Sequence, residues 1–594
     1  MSQLAPEGVV PGIYDRSPVI PLPAGRPAWS GPAAWVRLAE LADSGPARTM
    51  AVDTYPGSDL VGLRQELERA LPDAVLIDVE QAAARPPEDI DAMIAPHLTD
   101  DRVFGVMGHQ VLADFYDHAA LQVVADRVAA ADAPVIVYGW GAALVPTPFD
   151  HVVLADLARW EIQRRQRAGA PNWRAENGDD DQLRKVKRGY FVEWRVADRH
   201  KRSLFDRISL LLDANSSMAE AKLIEADTFH EGLAIASQRP FRVVPFFDPG
   251  VWGGQWMKQV IDLEDAENYA WCFDCVPEEN SLLLDVDGTV VELPALDLVF
   301  RHPRELLGER TFARFGAEFP IRFDFLDTME GGNLSLQVHP LTDYIRDVFG
   351  MTYTQDESYY LLDARDDAVV YLGLRDDADP ARMMSDLRAA AAGGAPFPTE
   401  DHINAFPARK HDHFLIPAGT VHCSGADSMV LEISATPYIF TFKMWDWGRV
   451  GLDGAPRPVH LDHAEANIQW DRRTAFAQEE LISQVETLSC GEGWVEERTG
   501  LHALEFIEVR RHWFDGTVSH DTDGTVNVLN LVEGVEAIVE SPTGAFDPFI
   551  VHYAETFIVP AAVGAYTLRP WGRGIGRRHG TVKAFVRGTR ASDA

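Results

Sequence analysis

Two histidines, a glutamate and a glutamine, far apart along the chain, carry the donor types that a divalent cation takes. In GGNLSLQVHP a period of two puts Leu334, Leu336 and Val338 on one face of an extended segment and Ser335, Gln337 and His339 on the other. Pro340 restricts the backbone before it and ends strand pairing, so the His339 imidazole is presented at a strand terminus. Glu357 opens ESYYLLDA, and His422 follows the turn in IPAGTVH, where Pro417 and Gly419 supply the bend. Two imidazoles, a carboxylate and an amide oxygen suit a borderline divalent ion and leave room for water or substrate, which a catalytic centre needs. A histidine taken singly is more often a hydrogen-bonded core or surface residue, and residues this distant meet only through the fold.

Other residues offer acid, base and cation. VLEIS places Glu432 between Leu431 and Ile433, on the opposite face from both. It is open there as an acid/base, as a partner of a metal-bound imidazole or as a solvated carboxylate. FKMWDWGR carries Lys443, Asp446 and Arg449 with Trp445 and Trp447, whose indoles suit either a sugar ring or a core. Arg346 and Lys410 are further cations, with solvent as their ordinary partner.

In this order SLQVHP, DESYYLLDA, FLIPAGTVHCSG, VLEIS and FKMWDWGR resemble the signature segments of class I phosphomannose isomerases. VWGGQW and WCFDCVPEENS upstream and RPVHLDH downstream are similar to the flanking segments of that family. The resemblance covers roughly residues 245 to 469 and the C-terminal part more loosely. It implies a cupin-type β fold, a zinc ion held by Gln337, His339, Glu357 and His422, and interconversion of mannose 6-phosphate and fructose 6-phosphate. Such an isomerisation moves a proton between C2 and C1 through an enediol, so oxyanion stabilisation and an acid/base group are required. Lys443 and Glu432 are the expected catalytic residues; Ser335, Trp445 and Arg449 are expected to bind the hexose phosphate. In some members of that family the serine matching Ser335 and nearby basic residues hold the phosphate.

Two departures stand out. Lys443 occupies the place of an arginine usual in a TYR-x-YD pattern, a point charge instead of a fixed bidentate fork, and so serves either as proton donor or as cation for the enediolate. LTDYIR follows QVHP where an acidic or lysine-containing stretch is usual. They leave open a non-phosphorylated or different sugar, and a metal-binding sugar or sugar-phosphate sensor without turnover.

The elements that must position these residues change character along the chain. From about Met50 to Arg239, the runs AVLIDV, RVFGVMG, APVIVYGWGAALV and HVVLADL read as strands between helices such as Leu60 to Ala70 and Ala120 to Ala131. That rhythm predicts an α/β domain with a parallel sheet. After Pro240 the text is rich in proline, glycine and aromatics and then alternates apolar with polar, interrupted by a helical stretch from Pro380 to Ala392. The expected organisation is an N-terminal extension (1–49), an α/β domain (50–240), a catalytic cupin with helical insertion (241–470), a connector (471–500) and a small C-terminal cupin-like barrel or sandwich (501–594).

IVYGWGAALVPTPFDHVVLADLARWEIQRRQRAG resembles the later half of uridine kinase-type folds, in which lid arginines contact phosphate. The resemblance points to Arg164, Arg165 and Arg167 and to a nucleotide or phosphate ligand; the bare residue pattern is that of a basic, solvated helix face. No GxxxxGK[ST] occurs, and VDTYPGSDL with Asp53 and Gly57 is no substitute, so this reads as a kinase-like domain lacking a Walker A motif and used for regulation, assembly or nucleotide sensing.

The chain of 594 residues exceeds one hydrophobic core. Its formal charge of -37 argues against a nucleic-acid partner, and a site for a sugar phosphate must build positive potential against that field. The start MSQLAPEGVVPG lacks a basic segment followed by an apolar one, and Ala133 to Leu144 is too short to span a bilayer, so a cytoplasmic location without membrane contact is expected. Four cysteines do not make a disulfide framework, and Cys272 and Cys275, a lone CxxC, read as half-buried thiols.

Overall fold

Short β-branched runs of the first third are buried over most of their length, and this suits strands covered on both faces. The computed structural model describes all residues except 1–4, 44–47, 436, 437, 439, 452, 453, 455, 456, 501, 503 and 589–594. The chain divides into two compact units.

The α/β unit comprises residues 19–236 and 281–301. Its parallel strands lie in the order Val75–Asp78, Val135–Gly139, Thr49–Thr54, His151–Asp156, Leu210–Asp213. In chain order that is 2-3-1-4-5. Lys222–Glu225 and then Ala28–Ser30 add antiparallel strands at one edge. Leu60–Ala70 forms because Leu63 and Leu67 share a buried face and the Asp59 carboxylate accepts from Gly62 N–H at the start.

This unit is larger than the expected 50–240. Helix Pro32–Asp43 belongs to it, and so does the hairpin Ser281–Val286/Thr289–Pro294, which pairs in parallel with Val19–Pro21. Helix Ala226–Ala236 sits so close to the hairpin that a Cβ on Gly232 would lie 2.5 Å from Leu284 Cδ1. The strand expected at RVFGVMG is absent: Val106 N–H donates to His97 O and Gly108 N–H to Phe191 O, so this backbone is satisfied by helical neighbours and not by a sheet.

The β unit comprises residues 5–18, 237–280 and 302–588 of the described chain. One antiparallel sheet runs His413–Ile416, Asp356–Ala364, Ser428–Ala435, Arg322–Asp327, Trp271–Cys275, Phe246–Asp248. A second runs Ile403–Pro407, Val369–Leu374, His422–Ser424, Leu336–Val338, Phe442–Trp445. The helical insertion is present as Pro380–Ala391, capped by Asp379. Two further antiparallel sheets, of six and four strands, form the C-terminal part around Phe514, Leu529, Leu531, Val539 and Leu568. The stretch expected to be a connector is partly sheet: Glu486–Gly491 is an edge strand of the six-stranded sheet and Trp494–Gly500 is the strand next to it.

Cys272 and Cys275 are fully buried, not half-buried, and burial pushes both thiols well above their usual range, which disfavours the reactive thiolate. Among the described residues no helix is long and apolar enough to cross a membrane.

Candidate metal centre

Strand Leu336–Val338 lies between His422–Ser424 and Phe442–Trp445, and Gln337 is directly opposite His422 on one side and Lys443 on the other. Residues opposite one another in antiparallel strands share a face, so Lys443, Gln337 and His422 form one row. His339 follows immediately, and its carbonyl accepts from Gly419 N–H at 3.0 Å, which joins it to the turn that carries His422.

Each imidazole is aimed by its backbone partner. His339 Nδ1 lies 2.9 Å from Phe440 O, and His422 Nδ1 lies 2.8 Å from Thr420 O. With Nδ1–H donating to a carbonyl, Nε2 keeps its lone pair for a ligand. The two Nε2 atoms face the Glu357 carboxylate of the other sheet, His339 at 3.1 Å from Oε2 and His422 at 2.7 Å from Oε1. The Gln337 amide lies 3.2 Å from His422 Nε2, and a flip of that amide turns its oxygen to the same point.

Neither imidazole is accessible to solvent, yet His339 Nε2 and Glu357 Oε1 have no well-directed hydrogen bond. Donor atoms of His339, Glu357 and His422 all lie within 4.8 Å of one another. Close approach without hydrogen-bond direction is what atoms converging on a shared cation show, so the set fits a divalent ion with nitrogen and oxygen ligands. Burial opposes ionisation of Glu357, but His339 and His422 hold its carboxyl well below the usual range.

Gln355, which sequence reasoning missed, ties the centre together. Its amide N–H donates to Glu357 Oε2 at 2.9 Å, and its oxygen accepts from Phe440 N–H at 3.1 Å, the same residue whose carbonyl anchors His339. The only signal was its position two residues before Glu357 in TQDES, on the same strand face. Gln355→Ala is expected to weaken metal binding by roughly 10- to 100-fold, as loss of a group orienting a ligand does; competition against a chromophoric chelator measures this.

Glu432 is buried, which removes the solvated-carboxylate alternative. It stands opposite Asp324 on one neighbouring strand and Tyr359 on the other. Burial first, then the charges of Asp324 and Glu357, push its carboxyl well above the usual range. Asp324, also unforeseen, is pushed up to about 7, chiefly by burial. The pair therefore keeps a proton beside Glu357.

Ser335 and Arg449 meet at Asp446. Ser335 Oγ donates to Asp446 Oδ1 at 3.0 Å and Arg449 Nη2 donates to the same oxygen at 2.5 Å, while Arg457 Nε lies 2.9 Å from Oδ2. Trp445, partly buried, stands opposite Leu336, two residues beyond Lys443. Arg346 and Lys410 are not at the site: Arg346 pairs with Asp343 and Asp347, and Lys410 with Glu533. In the α/β unit Arg164 and Arg165 both pair with the buried Glu161 carboxylate, and Arg165 also donates to Gly57 O and Ala214 O.

Residues 33–238 match a family described as "Domain of unknown function (DUF8485)". The mannose-6-phosphate isomerase of Streptococcus mutans is 26% identical over 219 residues, 36% of this chain and 63% of that protein. Mannose-6-phosphate isomerase ManA of Bacillus subtilis is 23% identical over 222 residues, 37% of this chain and 65% of that protein. The matches thus span less than two thirds of these relatives. Among solved structures, the Bacillus subtilis mannose 6-phosphate isomerase aligns with 58% of this chain and 99% of its own at 17% identity, with a TM-score of 0.48. A variant of the Salmonella typhimurium phosphomannose isomerase aligns with 59% and 100% at 14% identity, with a TM-score of 0.44.

Proposed function

We propose that the β unit is a metal-dependent aldose–ketose isomerase acting on a hexose, with zinc as the ion and a cupin-type barrel as its frame. The observation that carries this reading is the buried meeting of His339, Glu357 and His422, with unsatisfied Nε2 and Oε1 atoms, beside Gln337. The partial relatives named mannose-6-phosphate isomerase support a sugar isomerase, and mannose 6-phosphate with fructose 6-phosphate is the substrate pair this reading takes.

A bound divalent ion supplies Lewis acidity for carbonyl and hydroxyl oxygens. The protein supplies the rest. Glu432, buried beside Asp324 with its carboxyl held well above the usual range, is the acid/base group: as carboxylate it would take the proton from C2, and the carboxyl so formed would return it at C1. Lys443, in the row of Gln337 and His422, places a cation against the negative charge that develops on the enediolate. Ser335 and Arg449, joined through Asp446, and Trp445 orient the sugar phosphate.

Elemental analysis of the purified full-length chain, with a coupled assay on mannose 6-phosphate and fructose 6-phosphate before and after chelation, tests this. One equivalent of metal and chelator-sensitive turnover are expected. Metal-loaded protein that binds hexose phosphate but never turns it over would overturn the enzymatic reading in favour of a sensor.

A further inference from the structure

Behind the metal centre, on the other face of the sheet that carries Glu357, lies a small cavity to which two distant parts of the chain each contribute an acid. Side chains alternate along strand Asp356–Ala364, so Glu357 turns to the imidazoles while Asp356 and Ser358 turn the opposite way, beside Ala435 and Ile433 of the neighbouring strand. The residues that lead into strand Ile507–Phe514 cover this face and bring Glu505 onto it. Asp356, Glu357, Ser358 and Glu505 line the cavity, and the rest of its wall is apolar. Its volume is about 10 Å³, room for one water-sized occupant.

The oxygens around it are not used up within the protein. Glu505 is 7% exposed, and its Oε1 is buried without a hydrogen-bond partner. Asp356 accepts Ala418 N–H through Oδ1 at 2.9 Å, which leaves Oδ2 for another partner. Ser358 Oγ reaches Ile433 O only at 3.5 Å, the limit of a hydrogen bond. Positive charge is present, but not in contact. Arg472 acts on both acids, and Arg314 and His339 act on Asp356. Arg472 Nη1 is bound to Pro417 O and Ala418 O, each at 2.7 Å, and among the described residues no ion pair joins any of these cations to Asp356 or Glu505. A buried carboxyl of this kind calls for a partner in direct contact. A water would satisfy hydrogen bonds there and bring no charge.

We propose that this cavity is a second metal site, separate from the histidine centre, and that it takes a calcium ion. Its donors are oxygens alone, the set of a hard cation and not of zinc. Two carboxylates balance a double charge. A space for one atom leaves none for the waters that magnesium keeps, whereas calcium accepts flexible oxygen geometry. Bound there, the ion ties the residues before Ile507–Phe514 to the strand of Glu357 and so braces the histidine centre from behind.

Titration calorimetry of the full-length chain with calcium chloride, in a background of physiological potassium chloride, tests the site. One equivalent is expected to bind. Glu505→Gln keeps the size of the side chain and removes its charge, and is expected to weaken binding by about 100-fold, since calcium affinity follows the number of charged ligands. Ser358→Ala, a smaller change that keeps both acids, is expected to weaken it several-fold. His422→Ala, which disables the histidine centre, is expected to leave calcium binding intact. Calcium should raise the melting temperature of the natural protein and of His422→Ala, and leave that of Glu505→Gln where it is.

Each other outcome overturns the site. No binding by the natural protein means that the cavity holds water only. Unchanged affinity in both Glu505→Gln and Ser358→Ala means that calcium sits elsewhere on the acidic surface. Loss of calcium binding in His422→Ala means that the ion belonged to the histidine centre.

Discussion

Alanine at His422 is expected to remove the metal and the isomerase activity together. His422 contributes one of two anchored Nε2 atoms and lies 2.7 Å from Glu357 Oε1, so its loss opens the ligand set and removes a close neighbour of that carboxylate. Loss of Lewis-acid stabilisation amounts to several kcal/mol, which at about 1.4 kcal/mol per decade is a fall in kcat/KM of roughly a thousandfold or more. Lys443→Ala is the matched control. Lys443 shares the row of Gln337 and His422 but has no ligand role, so this variant should keep its metal while kcat falls by roughly 100-fold. Elemental analysis beside steady-state kinetics separates the two; equal metal loss in both would contradict the division of labour between them.

Lys201→Met is expected to destabilise the α/β unit severely. Lys201 Nζ lies 2.9 Å from Asp156 Oδ2 and 2.7 Å from Asp297 Oδ1, at the carboxyl end of strand His151–Asp156, and all three side chains are buried. Burial opposes its charge, but the two aspartates hold its pKa above the usual lysine range. Methionine would leave two buried carboxyls with no cation between them. Breaking a buried pair from one side costs about 3–5 kcal/mol. Because most of the long helices lie in this unit, helical circular dichroism in urea is the direct readout, with a midpoint roughly 1–2 M lower expected. An unmoved midpoint would show that the pair is electrostatically neutral to folding.

The alternation in NLSLQVHP was legible because side-chain direction in a strand has a period of two, a local property that three or four residues reveal. The cap at Asp59 and the insertion helix at Pro380 were legible for the same reason, since each is decided by neighbours within one turn. RVFGVMG looked like a strand by composition, but its amide groups are taken by His97 and Phe191, and no local rule reports such distant partners.

By itself the sequence determined which residue types were available for metal and proton chemistry, and which face of each strand carried them. Only the tertiary structure decided which of them meet. Register placed Gln337 between His422 and Lys443, and two facing sheets brought Glu357 to both imidazoles. Gln355 and Asp324 acquire their roles largely from neighbours far along the chain, Phe440 and Glu432. Hydrogen bonding, burial and charge act through space, and the pairing of strands that sets those distances is absent from any short stretch of chain.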